Sequence, residues 1–150
     1  MYDQTLAHDD TLAGARTGST AGAALSRGAL WTGRGLSALA VLFLTVDSIG
    51  KLLEVPPVVA GSLELGFPAS TVFPIGVILL LCVVAYVIPR TSVLGALLLT
   101  GYLGGAVATH VRVGNPLLTH TLFPIYFAFF VWGGLVLRDA RLRALLPGRH

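Results

Sequence analysis

Three ionisable residues sit together in an otherwise apolar stretch: Asp47, Lys51 and Glu54. They are four and three positions apart, so on a helix they share one narrow stripe. A carboxylate beside an ammonium in an apolar setting supports two kinds of chemistry. It can hold a proton or a ligand, or it can form a self-neutralising pair with Lys51 reaching toward the interface along its aliphatic stem. The i,i+4 spacing tilts the reading toward the pair. Arg112 is a second cation that a packed bundle could bring to Glu54 and Asp47. The expectation is therefore an intramembrane polar cluster of Asp47, Lys51, Glu54 and Arg112.

Other chemistry is sparse. His110 and His120 flank a Gly114-Asn115-Pro116 loop, a spacing that matches no ligand motif and lacks a second pair to complete a metal or heme site. Both histidines are expected at a membrane–water boundary, with Tyr86, Tyr102, Tyr126 and Trp132 as packing or interfacial residues. The single cysteine, Cys82, excludes an internal disulfide, a CxxC pair and any Cys-built metal centre. No phosphate-binding loop, dinucleotide fingerprint or nucleophile with its base is visible. No metal, no evident cofactor and no catalytic residue are expected.

The elements that must position these residues are membrane spans. Of 150 residues, 55% are hydrophobic and only 11% are charged. A soluble domain carries about 25% charged residues, because its surface faces water. Mean hydropathy is +0.82. The formal charge of +3 reflects arginines gathered on one side of a membrane, and nucleic acid is not an expected partner.

A span needs about 20 apolar residues. Four stretches qualify, at about 36–54, 71–88, 91–111 and 121–137, bounded by Pro56-Pro57, Pro89-Arg90, Gly114-Asn115-Pro116 and the charged run from Arg138. Residues 1–34 are rich in Gly, Ala, Ser and Thr without apolar period and read as a disordered cytoplasmic tail. The four-span domain covers 35–147, and 148–150 form a short C-terminal tail. With four crossings, both termini and the Pro89-Arg90 turn share one side. That side holds eight arginines against Lys51 and Arg112 on the other, which predicts both termini in the cytoplasm and the loops 55–70 and 113–120 outside.

Two pentapeptides repeat: Thr71-Val72-Phe73-Pro74-Ile75 and Thr121-Leu122-Phe123-Pro124-Ile125. The first and third spans also align, with Ser37 on Ser92, Leu44 on Leu99 and Gly50 on Gly105. The chain thus reads as an all-α, four-span bundle of two parallel-repeat helical hairpins. The third span carries Gly101, Gly105 and Ala108 on one face with Gly104 beside it, where another helix is expected to approach closely. His110 falls on the opposite side of that span.

Several stretches together resemble the DoxX-like family of four-helix membrane proteins. They are Leu65-Gly66-Phe67-Pro68-Ala69, the turn Tyr86-Val87-Ile88-Pro89-Arg90-Thr91-Ser92, the glycine-rich run from Leu99 to Arg112, and the segment Val131 to Arg143. The resemblance covers roughly residues 35–147 and implies a four-helix bundle in a bacterial cytoplasmic membrane. The family takes its name from a membrane subunit of a quinone-linked sulfur-oxidising complex. The resemblance thus implies an accessory subunit of a redox complex, with a quinone as the implied cofactor and an oxidoreductase subunit or a second copy as partner. It carries over no catalytic residue, and lone Cys82 would need a second sulfur from a partner for thiol–disulfide chemistry. Two alternatives stand beside it: a small proton-coupled transporter using Asp47, and a membrane scaffold or assembly factor.

Overall fold

A computed structural model describes residues 26–144; residues 1–25 and 145–150, which include most of the expected tail and the C-terminal 148–150, lie outside the described residues. Within the described part the first helix, α1 (Arg27–Leu52), starts well before the expected Leu36. Ser26 caps it, its side chain accepting from the Ala29 amide at 3.2 Å. Within residues 27–35 Gly33 is buried, and its backbone closes on Leu137 and Gly134 of the last span.

Chain direction then changes at the prolines. Glu54 takes a left-handed φ of +48°, and Pro56 and Pro57 occupy the first positions of a short helix, α2 (Pro56–Glu64). The segment expected as a loop thus holds a helix. Gly66 (φ +79°) turns the chain into a 3₁₀ turn at Ala69–Thr71 and on into α3 (Val72–Val87). A four-residue turn leads to α4 (Ser92–Arg112). A π turn at Leu117–Thr121 precedes α5 (Phe123–Arg138). A short α6 (Ala140–Ala144) follows, capped by Asp139, whose Oδ1 accepts from the Arg141 amide at 2.9 Å.

Among the described residues four helical segments are long and apolar enough to cross a membrane: Arg27–Leu52, Ala69–Val87, Ser92–Arg112 and Leu117–Arg138. Their outward faces are apolar. Leu42, Leu81 and Phe129 are each more than 60% exposed, a surface that suits lipid and not water.

The spans form a ring in which α1 packs on α3 and α5, and α4 packs on the same two, leaving α1 and α4 on the diagonal. Small residues set the crossings. A Cβ added at Gly33 would meet Leu137 Cβ at 2.8 Å, and one at Gly76 would meet Lys51 Cβ at 2.8 Å. One at Gly95 would collide with the Tyr86 backbone, and one at Gly134 with Ser37. Without a hydrophobic drive between helices in lipid, such close approach is what holds them together.

Polar side chains reinforce the ring. The Ser48 hydroxyl donates to the Gly76 carbonyl at 2.9 Å, and the Trp132 indole donates to Thr100 Oγ1 at 2.8 Å. Tyr86, fully buried, ties three helices and is a packing centre, not an interfacial anchor.

The burial pattern bears on the repeat. Ser37, Ala40, Leu44 and Ser48 are buried on α1, and Ser92, Gly95, Leu99 and Leu103 on α4, each 55 residues on, the register of the sequence alignment. The TxFPI pentapeptides fare differently. Pro74 is exposed whereas Pro124 is buried, and the buried positions Val72, Leu79, Cys82 and Val83 match Pro124, Val131, Gly134 and Leu135, a shift of 52, not 50. The 3₁₀ turn before α3 and the π turn before α5 rotate the two helix starts differently, so the shared pentapeptide does not mark equivalent faces.

Candidate functional site

Diagonal helices held apart leave space between them. A cavity of about 470 Å³ lies between α1 and α4, in the half of the bundle capped by α2. Ser62, Leu65 and Phe67, from α2 and the segment after it, contribute at this end, whereas the half around Ser37 and Tyr86 is tightly packed. The α3–α4 turn and both ends of the described chain lie at that opposite, packed end.

Three aromatic rings form the apolar wall. Phe43 of α1 stacks on Phe127 of α5 at 4.2 Å between centroids and meets Phe123 edge-on at 5.3 Å. Against this wall stands the polar pair. Lys51 Nζ donates to Asp47 Oδ1 across one helical turn, and both residues line the cavity. The Lys51 side chain is 15% exposed and that of Asp47 32%, so the pair is partly shielded. An ammonium and a carboxylate so placed largely cancel, which makes their burial tolerable. Among the described residues no other ion pair forms, and no buried side-chain nitrogen or oxygen lacks a hydrogen-bond partner.

The expected four-residue cluster is therefore reduced to two. Glu54 lies in the exposed turn after α1, outside the cavity lining. Arg112 points elsewhere: its guanidinium donates to the Leu65 carbonyl at 2.6 Å and packs beside Gly66. It tethers the cap over the cavity and does not touch the carboxylates. Glu54 is itself the left-handed residue of the turn that leads into Pro56-Pro57, which helical spacing alone does not reveal.

The glycines of α4 also take a different role. A Cβ at Gly101, Gly104 or Gly105 would meet nothing within 4 Å, so none mediates close helix contact among the described residues. Gly101 and Gly105 line the cavity, where a missing side chain leaves room, while Gly104 and Ala108 are exposed outside it. Tyr102 and His110 line it too, so His110 does not face away as expected. Asn115 Nδ2 donates to His110 Nδ1 at 2.9 Å, and the His120 ring stands 5.9 Å from that of His110. Among the described residues no group of three metal-ligating side chains converges. Phe43, Phe123 and Phe127 carried no sequence signal beyond their apolarity. Their spacing on α1 and α5 matches any packed helix face.

Four apolar spans around a half-open cavity, with one charged pair turned onto it, define a multi-pass membrane protein of the four-helix-bundle class. Within that class the chain belongs to the DoxX-like family, whose model matches residues 35–134. No curated protein and no solved structure matches it.

Proposed function

We propose that this protein is a ligand-holding membrane subunit of a redox-linked complex, receiving a quinone-type ring in the cavity between α1 and α4. The carrying observation is the pairing of an aromatic wall with a few convergent polar groups in a volume of about 470 Å³. Small-molecule sites are of this kind, mostly apolar with a few placed polar groups, and span about 300–1,000 Å³.

The donor set fits a flat ring bearing two carbonyl oxygens. Lys51 and Tyr102, both on the lining, carry N–H and O–H donors, and Phe43 and Phe127 carry the ring faces. Asp47 holds the Lys51 ammonium in place. A bound quinone would supply two-electron redox chemistry; the residues of this chain bind it, orient it and exclude water. The reaction centre itself would belong to a partner subunit, in keeping with the redox association of the family.

The test is photo-crosslinking of the full chain in nanodiscs with an azido-quinone, followed by peptide mapping. Labelling of the Phe43–Lys51 and Tyr102–His110 segments, competed by unlabelled quinone, is the expected result. Labelling confined to the outward apolar faces would overturn the reading. The transporter alternative draws on Asp47 beside the cavity. It predicts proton-coupled flux in liposomes that disappears in Asp47→Asn.

A further inference from the structure

We infer that the end of the bundle opposite the cavity is a docking surface for anionic phospholipid headgroups of the surrounding leaflet. Six arginines of the described chain gather there: Arg27, Arg34, Arg90, Arg138, Arg141 and Arg143. The only carboxylate among the described residues at that end is Asp139, and its Oδ1 already accepts from the backbone of α6. At the cavity end Lys51 and Arg112 are outnumbered by Asp47, Glu54 and Glu64, so no comparable positive field exists there.

Two of the six are committed to structure. Arg138 lies 5.0 Å over the Tyr86 ring and donates to the Tyr86 carbonyl at 3.4 Å, and Arg143 donates to the Leu137 carbonyl at 2.9 Å. Arg27, Arg34, Arg90 and Arg141 are exposed and, among the described residues, their side chains donate to no acceptor. A guanidinium presents a planar fork that matches phosphate.

Depth selects the partner. The 26 residues of α1 extend about 39 Å, against a hydrocarbon core of about 30 Å. The cavity end of α1 reaches only one residue past Lys51, so the excess emerges at the arginine end. It carries Trp31, 70% exposed, with Arg34 5.6 Å over its ring. An indole with a guanidinium beside it is the chemistry of the headgroup layer. Charge complementarity and depth together select a lipid phosphate in the bilayer, in preference to a soluble anion.

The experiment uses Trp31 as reporter in the full chain carrying Trp132→Phe, reconstituted with brominated phosphatidylglycerol or brominated phosphatidylcholine. Quenching should favour the anionic lipid about two- to fivefold at low salt, and 0.5 M salt should abolish the preference. Arg27→Gln, Arg34→Gln, Arg90→Gln and Arg141→Gln together should remove the preference while leaving the helical circular dichroism unchanged. Equal quenching by both lipids overturns the inference, as does a preference that survives this fourfold variant. Should that variant fail to fold, native mass spectrometry of the unaltered protein decides: retained phosphatidylglycerol supports the surface, and retained phosphatidylcholine alone overturns it. Added inorganic phosphate should not compete; competition at equal concentration would assign the arginines to a soluble anion and overturn the choice of lipid.

Discussion

The Tyr86 hydroxyl lies 2.9 Å from Ser37 Oγ and donates to the Val131 carbonyl at 2.8 Å, so one side chain of α3 ties α1 and α5 together. Tyr86→Phe keeps the ring and removes both bonds. Interhelical hydrogen bonds in membranes contribute about 0.6–1.7 kcal/mol each, so a loss of about 1–2 kcal/mol is expected. Tyr86→Ala also leaves a cavity and should cost about 3–5 kcal/mol. Reversible unfolding in mixed micelles measures both, and a Tyr86→Phe variant as stable as the parent would refute the hydrogen-bond role.

The glycines should divide sharply by position. Gly95 faces the Tyr86 backbone, which cannot retreat without parting α3 from α4, whereas Gly104 faces open space. Gly95→Ala is expected to lower stability by about 2 kcal/mol or more. Gly104→Ala should be neutral or slightly stabilising, since alanine restricts the unfolded chain and suits a helix better. Melting temperatures of the two variants in one detergent decide the point.

That division also shows what is legible in a sequence and what is not. The four spans were visible because lipid requires long apolar helices, and Pro56, Pro57, Pro89 and Pro116 mark where the chain must turn. The glycines of α4 were visible as a stripe, but a stripe fits both a tight crossing and an open cavity. Which one forms depends on whether α1 and α4 are neighbours or diagonal, a property of the whole ring. The same holds for Arg112. Helical phase alone leaves it beside the carboxylates, yet the left-handed Gly66 brings the Leu65 carbonyl within its reach. Only Asp47 and Lys51 were predictable as partners, because an i,i+4 pair needs nothing beyond its own helix.

That pair yields a prediction of its own. Asp47→Asn strands a Lys51 ammonium that is mostly shielded from water, whereas Asp47→Asn with Lys51→Gln replaces both charges by neutral amides. The single change should cost about 1–3 kcal/mol, less than for a fully sealed pair because Asp47 is part-exposed. The double change should recover most of that loss. A double-mutant cycle by micelle unfolding checks it, and additive losses would show that the two charges are not coupled.

Arg112 should govern the cap without governing the bundle. Arg112→Gln removes the charged donor from the Leu65 carbonyl. Backbone amides of residues 58–66 should then exchange faster by about tenfold, corresponding to about 1.4 kcal/mol, at the low end for a hydrogen bond to a charged group because this one is exposed. Amides of the four spans should be unaffected. Hydrogen–deuterium exchange resolved by peptide tests this, and uniform acceleration across the spans would assign Arg112 to global stability.

The cavity itself can be filled from a wall that has room. Gly105 lines it, and an added Cβ there meets nothing within 4 Å, so leucine at this position can enter the space without colliding with backbone. Its neighbour Gly104 is equally unobstructed but lies outside the cavity lining. Gly105→Leu and Gly104→Leu therefore make the same chemical change on the same helix, one residue apart, and differ in which space they occupy. Both should preserve helicity and unfold within about 1 kcal/mol of the parent, because neither disturbs a packed crossing. Only Gly105→Leu should weaken quinone binding, by tenfold or more, since the added side chain takes volume that a ring needs. Matched titrations in nanodiscs measure this difference. Equal binding by the two variants would place the ligand outside the cavity, whatever the cavity's shape suggests.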